Sequence, residues 1–290
     1  MNSINNLKTN ELEILDIFNH LWSKRIIFIY AALFLFLTSS AIAMLLPKQW
    51  VSDALVIEVG GSESSQSASA GMLAELTGIN IGTQRGKVLD LIKRRLVTKD
   101  FYKHMIQDPE FYTQLIAVKS FDEELNKNIY DSELYDAEKA LWIKEPSFYE
   151  GHQKFLKTAR AGFLDDKTAN FLVIRAEHAS PITAQYIVQS LVREINELKR
   201  AEDILDADNT LNYLQSELRA TNQISIKAAI NGLIENQVKT KTFANVKTYY
   251  LIKPLDQAYI PEKRSKPNRK YFVLSISSFG LFLLTIFYSL

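Results

Sequence analysis

Two uncharged apolar stretches, one near each end, constrain this chain more than any other feature. The first runs from Ile26 to Leu46 and the second from Tyr271 to Leu290. Each matches the ~20 residues that a helix needs to cross a ~30 Å hydrocarbon core. Hydrocarbon offers no water to backbone N–H and C=O groups, so each stretch must satisfy them internally, as a helix. Residues 26–46 and 271–290 are therefore expected to be transmembrane helices. Residues 47–270, a polar block, are then expected on one side of the membrane, tethered at both ends.

The chain has 290 residues and a net charge of +1. Near-neutrality gives no global attraction to nucleic acid or anionic lipid. Cysteine is absent, which excludes disulfides, thiolate metal sites and thiol nucleophiles. Residues 1–25 read as a cytoplasmic arm in which Leu12, Leu15, Phe18 and Trp22 recur at helical spacing. Ala41-Ile42-Ala43 has the look of a signal-peptidase site. The preceding arm is too long and too acidic for a signal peptide, with Glu11, Glu13 and Asp16. The span is thus expected to be retained. Lys24 and Arg25 place the N-terminus inside. Lys263, Arg264, Lys266, Arg269 and Lys270 pull the other way, but long loops cross largely regardless of charge and the first helix usually dominates. We expect both termini to be cytoplasmic, with essentially no tail beyond Leu290.

The central block alternates strand and helix signals. Val51, Leu55, Ile57 and Val59 lie on one face at period two and mark a strand over 50–59. Residues 60–71 are a small-residue polar linker, followed by a helical turn over 72–77 and a break at 78–82. Val88, Leu91, Ile92 and Leu96 mark a helix over about 87–107, whose Lys93, Arg94 and Arg95 read as a solvated face. Residues 110–160 read as helical patches between breakers. Asn170 to Ala176 is nearly continuous in apolar residues and reads as a buried strand. Ser180-Pro181 has the form of an N-cap followed by proline in the first turn. From there a stripe through Ile187, Leu191, Ile195, Leu198, Leu205, Leu211, Leu214 and Leu218 continues without proline to Pro254. Residues of about 181–246 are expected to form one very long helix or two in tandem, too long for a small domain to bury, so that part projects and packs against copies of itself. Tyr249 to Ile252 reads as a third strand, and the segment 254–267, with Pro254, Pro261 and Pro267, reads as a stiff extended lead to the second span.

Catalytic signatures are missing. The segment 82–87 (GTQRGK) lacks the spacer and the Ser or Thr of a phosphate-binding loop. His20, His104, His152 and His178 have no partner at i+3 or i+4 for a helical metal pair. Asp165-Asp166 and Asp122-Glu123-Glu124 read as surface charge rather than as a glycosidase pair. We expect no catalytic residues, no metal, no cofactor, no nucleic-acid partner and no enzyme activity.

The layout resembles the Wzz chain-length determinants, the polysaccharide co-polymerases of Gram-negative inner membranes. The resemblance rests on the arm Glu11 to Trp22, one span, Pro47-Lys48-Gln49-Trp50 leading into a strand, and a long helix. Its most specific piece is the segment Ala258 to Pro267 before the second span. Ala258, Pro261, Ser265 and Pro267 are similar to the family's proline-rich motif, with a spacer of three residues between Pro261 and Ser265. The stretch Ala70 to Gly82 also resembles the family's loop after the first strand. The resemblance implies an α+β membrane protein in which two transmembrane helices flank a large periplasmic α/β domain (47–270) with a long projecting helix. It implies a ring-like homo-oligomer that works with a Wzy-type polymerase on a lipid-linked polysaccharide, in contact with membrane lipid. It further implies control of chain length, foremost of lipopolysaccharide O antigen, without an active site. No Walker motif is present, which points to the branch without a fused kinase. The competing readings are a two-span sensory protein or adaptor for capsule or exopolysaccharide export, and a membrane-anchored glycan hydrolase or transferase.

Overall fold

The computed structural model describes residues 25–59, 87–164 and 171–289. In chain order the elements are α1 (Arg25–Leu45), β1 (Trp50–Glu58), α2 (Lys87–Arg95), α3 (Lys99–Met105) and α4 (Pro109–Ala117). Two short hairpins follow: β2 (Val118–Asp122) with β3 (Lys127–Tyr130), and β4 (Tyr135–Asp136) with β5 (Leu141–Trp142). Then come α5 (Phe148–Thr158), β6 (Ala159–Phe163), β7 (Leu172–His178), α6 (Pro181–Ala220), α7 (Ile224–Val246), β8 (Ile252–Asp256) and α8 (Arg269–Ser289). The fold mixes helix and sheet. It divides into two units, Met1–Gln49 with Arg264–Leu290, and Trp50–Lys263.

In the first unit α1 and α8 pack antiparallel. Ser39 Oγ lies 3.4 Å from Ser277 Oγ, and the Arg269 guanidinium reaches the Met44 carbonyl at 3.5 Å. A Cβ on Gly280 would fall 2.6 Å from Leu35 Cδ1. The close approach therefore needs a residue without a side chain there, as small residues at helix–helix contacts allow. Among the described residues one helix, Ile26–Leu45, has the length and mean hydropathy, 2.3, to cross a membrane.

The second unit is built on an antiparallel sheet of order β6-β7-β1-β8. In β1 the buried side chains are Trp50, Ser52, Ala54 and Val56, while Val51, Leu55 and Ile57 are only half-buried. The inward face is thus opposite to the one on which Val51, Leu55 and Ile57 repeat. Ser52 and Ala54 are small, which suits a face under a helix, and the Ser52 hydroxyl is satisfied by donating to the Tyr259 carbonyl at 2.8 Å. In β7 the core face is Leu172, Ile174, Ala176 and His178. Its other face is not buried: exposed Arg175 pairs with Asp53 across the ladder at 3.0 Å.

The expected helix over 87–107 is two helices. Thr98 interrupts it because its hydroxyl accepts from the Phe101 N–H and caps α3. The expected helical patches of 110–160 are α4 and α5 separated by the two hairpins. Asp122, Asp131 and Asp136 each accept backbone N–H groups two or three residues on, which makes tight turns where helix would otherwise continue. Ser147 and Glu150 form a reciprocal capping box that starts α5. β6 was not expected from the sequence. The third strand lies a few residues later than expected, at Ile252–Asp256.

The long segment resolves into α6, of 40 residues, and α7, of 23, joined at Thr221–Gln223. At 1.5 Å per residue α6 is about 60 Å long. Ser180 caps it and Pro181 opens it. The two helices form an antiparallel hairpin, with Lys241 paired to Asp208 at 2.6 Å and Arg200 donating to the Lys247 and Thr248 carbonyls. Ile187, Val188, Leu191, Val192 and Ile195 of the first half of α6 join the core; beyond Asn196 only Ala207 and Leu214 of α6 are buried.

Candidate interaction site

The long helix and the returning chain meet at one side chain. Asn196, buried within α6, accepts at Oδ1 from the backbone N–H groups of Tyr250, Leu251 and Ile252 at 3.0, 2.7 and 3.0 Å. Its Nδ2 donates to the Ile252 carbonyl at 3.0 Å and to the Val192 carbonyl at 2.8 Å. Residues 249–251 are thereby held as a bend against a helix rather than as the expected strand. Two turns on, Asp203 accepts from the Tyr250 hydroxyl at 2.7 Å and pairs with Lys199. Burial, and then the bond to Asp203, holds the Tyr250 phenol above its ordinary range. None of these residues forms a motif that sequence reading could single out; an asparagine inside an apolar helical stripe was the one visible signal.

Two residues of the proline-rich motif belong to this assembly. Ala258 is buried, and its carbonyl accepts from Gln185 Nε2 at 3.0 Å and from Gln189 Nε2 at 3.4 Å. Pro261 is also buried. Ser265 and Pro267 lie in the other unit. There the Ser265 N–H donates to the Gln49 carbonyl at 2.7 Å, beside the bridge between Gln49 and Lys266. Pro267 is half-buried.

A cleft of about 410 Å³ runs between α6 and the return, with Gln189, Arg193, Glu197, Tyr249, Pro254 and Gln257 in its wall. Glu197 is the single carboxylate in the lining and pairs with Arg200 at 3.2 Å. Amide, guanidinium and phenol groups suit hydrogen bonding to a hydroxylated ligand. General acid–base cleavage of a glycosidic bond would use two carboxylates.

The basic face of α2 is engaged by the protein itself. Arg94 pairs with Asp90, Arg95 makes a two-pronged pair with Glu202 of α6, and the Lys93 ammonium stands 5.0 Å from the Phe163 ring centroid. His104 lies 3.1 Å from Glu194. His152 stacks within an aromatic cluster with Tyr102 and Phe148. His178 is buried, and burial together with the nearby Lys154 charge pushes it down to about 4. Asp122 closes the β2–β3 turn. His20, Asp165-Asp166, the arm 1–24, the linker 60–71 and the stretch 72–86 lie outside the described residues. Among the described residues no group of three or more His, Asp or Glu side chains is placed to hold a metal.

No family model matches the sequence, and no curated protein matches it. The solved structures similar to this chain include two polysaccharide co-polymerases. A full-length bacterial polysaccharide co-polymerase matches 94% of this chain and 96% of its own, at 11% identity and a TM-score of 0.44. A fragment of WzzB, a polysaccharide co-polymerase from Salmonella Typhimurium, matches 76% of this chain and 100% of its own, at 12% identity and a TM-score of 0.35. Both of these structures are polysaccharide co-polymerases.

Proposed function

We propose that the chain is a polysaccharide co-polymerase of a bacterial inner membrane. It sets how many repeat units a lipid-linked polysaccharide, foremost lipopolysaccharide O antigen, receives from a Wzy-type polymerase. In this reading α1 and α8 both span the bilayer, both termini are cytoplasmic, residues 47–270 are periplasmic, and the working form is a ring-like homo-oligomer. The protein itself makes and breaks no glycosidic bond.

The observation that carries the reading is the segment Ala258 to Pro267, which resembles the family's motif and leads directly into α8. The fold supports it. The motif's first residue is fastened to the long helix by two glutamines, and β1 and β8, the first and last strands of their unit, are neighbours in its sheet. The far part of the hairpin leaves Leu205, Tyr213, Leu233 and Val238 exposed, as a surface that packs against copies of itself would.

The test is complementation of a deletion strain. The wild-type chain should restore a clustered ladder of glycan lengths. A Pro261→Ala/Pro267→Ala variant, with a softened lead, should shift the cluster to shorter lengths at equal protein level in the membrane fraction. A ladder that is the same with wild type, variant and empty vector would contradict the reading for that glycan.

A further inference from the structure

The cleft between α6 and the returning chain sets hydrogen-bonding groups around an apolar floor. Its volume, about 410 Å³, falls within the ~300–1,000 Å³ of small-molecule sites. Buried Val188 and Val192 and half-buried Pro254 supply apolar surface. The two charged side chains of the wall are each met on α6 itself: Arg193 by Glu194 at 2.9 Å, and Glu197 by Arg200 at 3.2 Å. One positive and one negative group, both paired, leave the cleft without net charge.

Its uncharged polar groups divide into two sets. Asn196 and Gln189 are committed to the fold, Asn196 to the return and Gln189 to the Ala258 carbonyl, and these bonds hold the floor in place. The side chains of Thr248, Tyr249 and Gln257 make no hydrogen bond to a described residue. Thr248 and Gln257 are exposed and Tyr249 is half-buried. A hydroxyl, a phenol and a primary amide each both donate and accept. Sugar hydroxyls have the same double character, and the Tyr249 ring offers a flat apolar face to the C–H side of a sugar ring. An ionic ligand would find no unmet counter-charge here, and a purely apolar one would leave the three polar groups unpaired.

We propose that this cleft is a binding site for a short, uncharged stretch of saccharide. The inference rests on the glycan reading above and names where on the protomer the polymer is held. Thr248, Tyr249 and Gln257 hydrogen-bond its hydroxyls, and Val188, Val192 and Pro254 lie under its apolar faces. Ala258, the first residue of the proline-rich motif, lines the same cleft. The bound glycan therefore touches the chain where it leaves β8 for the second span.

The test uses the full chain purified in lauryldimethylamine oxide, a detergent without a sugar headgroup, and isothermal titration calorimetry. One probe is a short oligosaccharide released by mild acid from the surface polysaccharide of the strain that carries the gene. The other is polyethylene glycol of similar mass, whose ether oxygens accept but do not donate. The oligosaccharide should be held about tenfold more tightly or better, because the glycol leaves acceptors in the cleft unmet. Its Kd should move by less than about twofold between about 0.05 and about 0.5 M salt, since screening acts on charges. A hydrogen bond between uncharged groups is worth about two- to tenfold. Gln257→Ala, at an exposed position that the fold does not need, should therefore weaken binding about threefold. Tyr249→Ala/Gln257→Ala should weaken it about tenfold or more, and Asn231→Ala/Asn236→Ala, at exposed positions of α7, should leave it unchanged. Equal retention of the two probes, a Kd that rises steeply with salt, or equal weakening by both double variants would overturn the proposal. So would a wild type that holds no saccharide while the Tyr249/Gln257 pair changes oligomer size in mass photometry, which would make the cleft a contact between copies. A glycan ladder that collapses on deletion, with no saccharide held by the purified chain, overturns the cleft alone. Saccharide held by the wild type and lost by the cleft pair, in cells whose ladder ignores the deletion, supports the cleft and contradicts the chain-length reading.

Discussion

Asn196 makes five hydrogen bonds, four of them joining the long helix to the returning chain and three accepted by one oxygen. Replacing it with alanine leaves three backbone donors and a carbonyl unmet in or beside the core. Each buried unmet group costs about 1–3 kcal/mol. We expect Asn196→Ala to destabilise the fold by about 3 kcal/mol or more, and differential scanning calorimetry of the full chain should show a melting temperature lower by about 6–12 °C. His178 makes a different demand. It is buried neutral, accepts at Nδ1 from the Ser180 N–H, and titrates near 4. Its folded value lies below the unfolded one of about 6.5, so its contribution is intact above pH ~6.5. As pH falls from ~6.5 to ~4 the unfolded chain takes up a proton that the folded chain refuses, and of order 3 kcal/mol is lost. Urea midpoints measured across that window should fall more steeply for the wild type than for His178→Gln; parallel slopes would exclude the histidine as the source.

At the scale of elements, the helix pair of the first unit rests on small residues. The chain has no native cysteine, so paired cysteines report cleanly. Ser39→Cys/Ser277→Cys should form a disulfide under mild oxidation and lose most maleimide labelling. Adding Gly280→Val should restore labelling, because a β-branched side chain there meets Leu35. Labelling that ignores position 280 would mean that the helices do not meet at this face. Such elements were unevenly legible in the sequence. The apolar stripe of α6 and the Ser180-Pro181 cap could be read because cap and 3.6-residue period are local signals. The face of β1 could not, because the core accepts small Ser52 and Ala54 under a helix while the larger Val51, Leu55 and Ile57 stay half-buried. The hairpins of 118–142 were hidden because their strands are too short to show alternation, and aspartate turns rather than Gly or Pro direct them. At the candidate site Ala258 and Pro261 were visible as a motif, but Gln185, Gln189 and Asn196 were not. Their roles are contacts across 50 or more residues of chain, which no local pattern encodes.

For the whole molecule, the function we propose is regulation of polymer length. Lys93, Arg94 and Arg95 of α2 are met within the fold, and the cleft beside α6 is walled by hydrogen-bonding groups with one paired carboxylate. In the proposed oligomer, other copies of the chain would attach at the exposed apolar residues of the hairpin. The central claim is that this protein changes the lengths of a polymer without forming its bonds. The most direct measurement labels the glycan with a radioactive sugar in deleted and complemented cells, then records total incorporation and the length distribution together. We expect total incorporation to stay within about twofold while the clustered distribution collapses on deletion and returns on complementation. Loss of incorporation at every length in the deleted cells would show that the chain is needed for bond formation, and would contradict the claim.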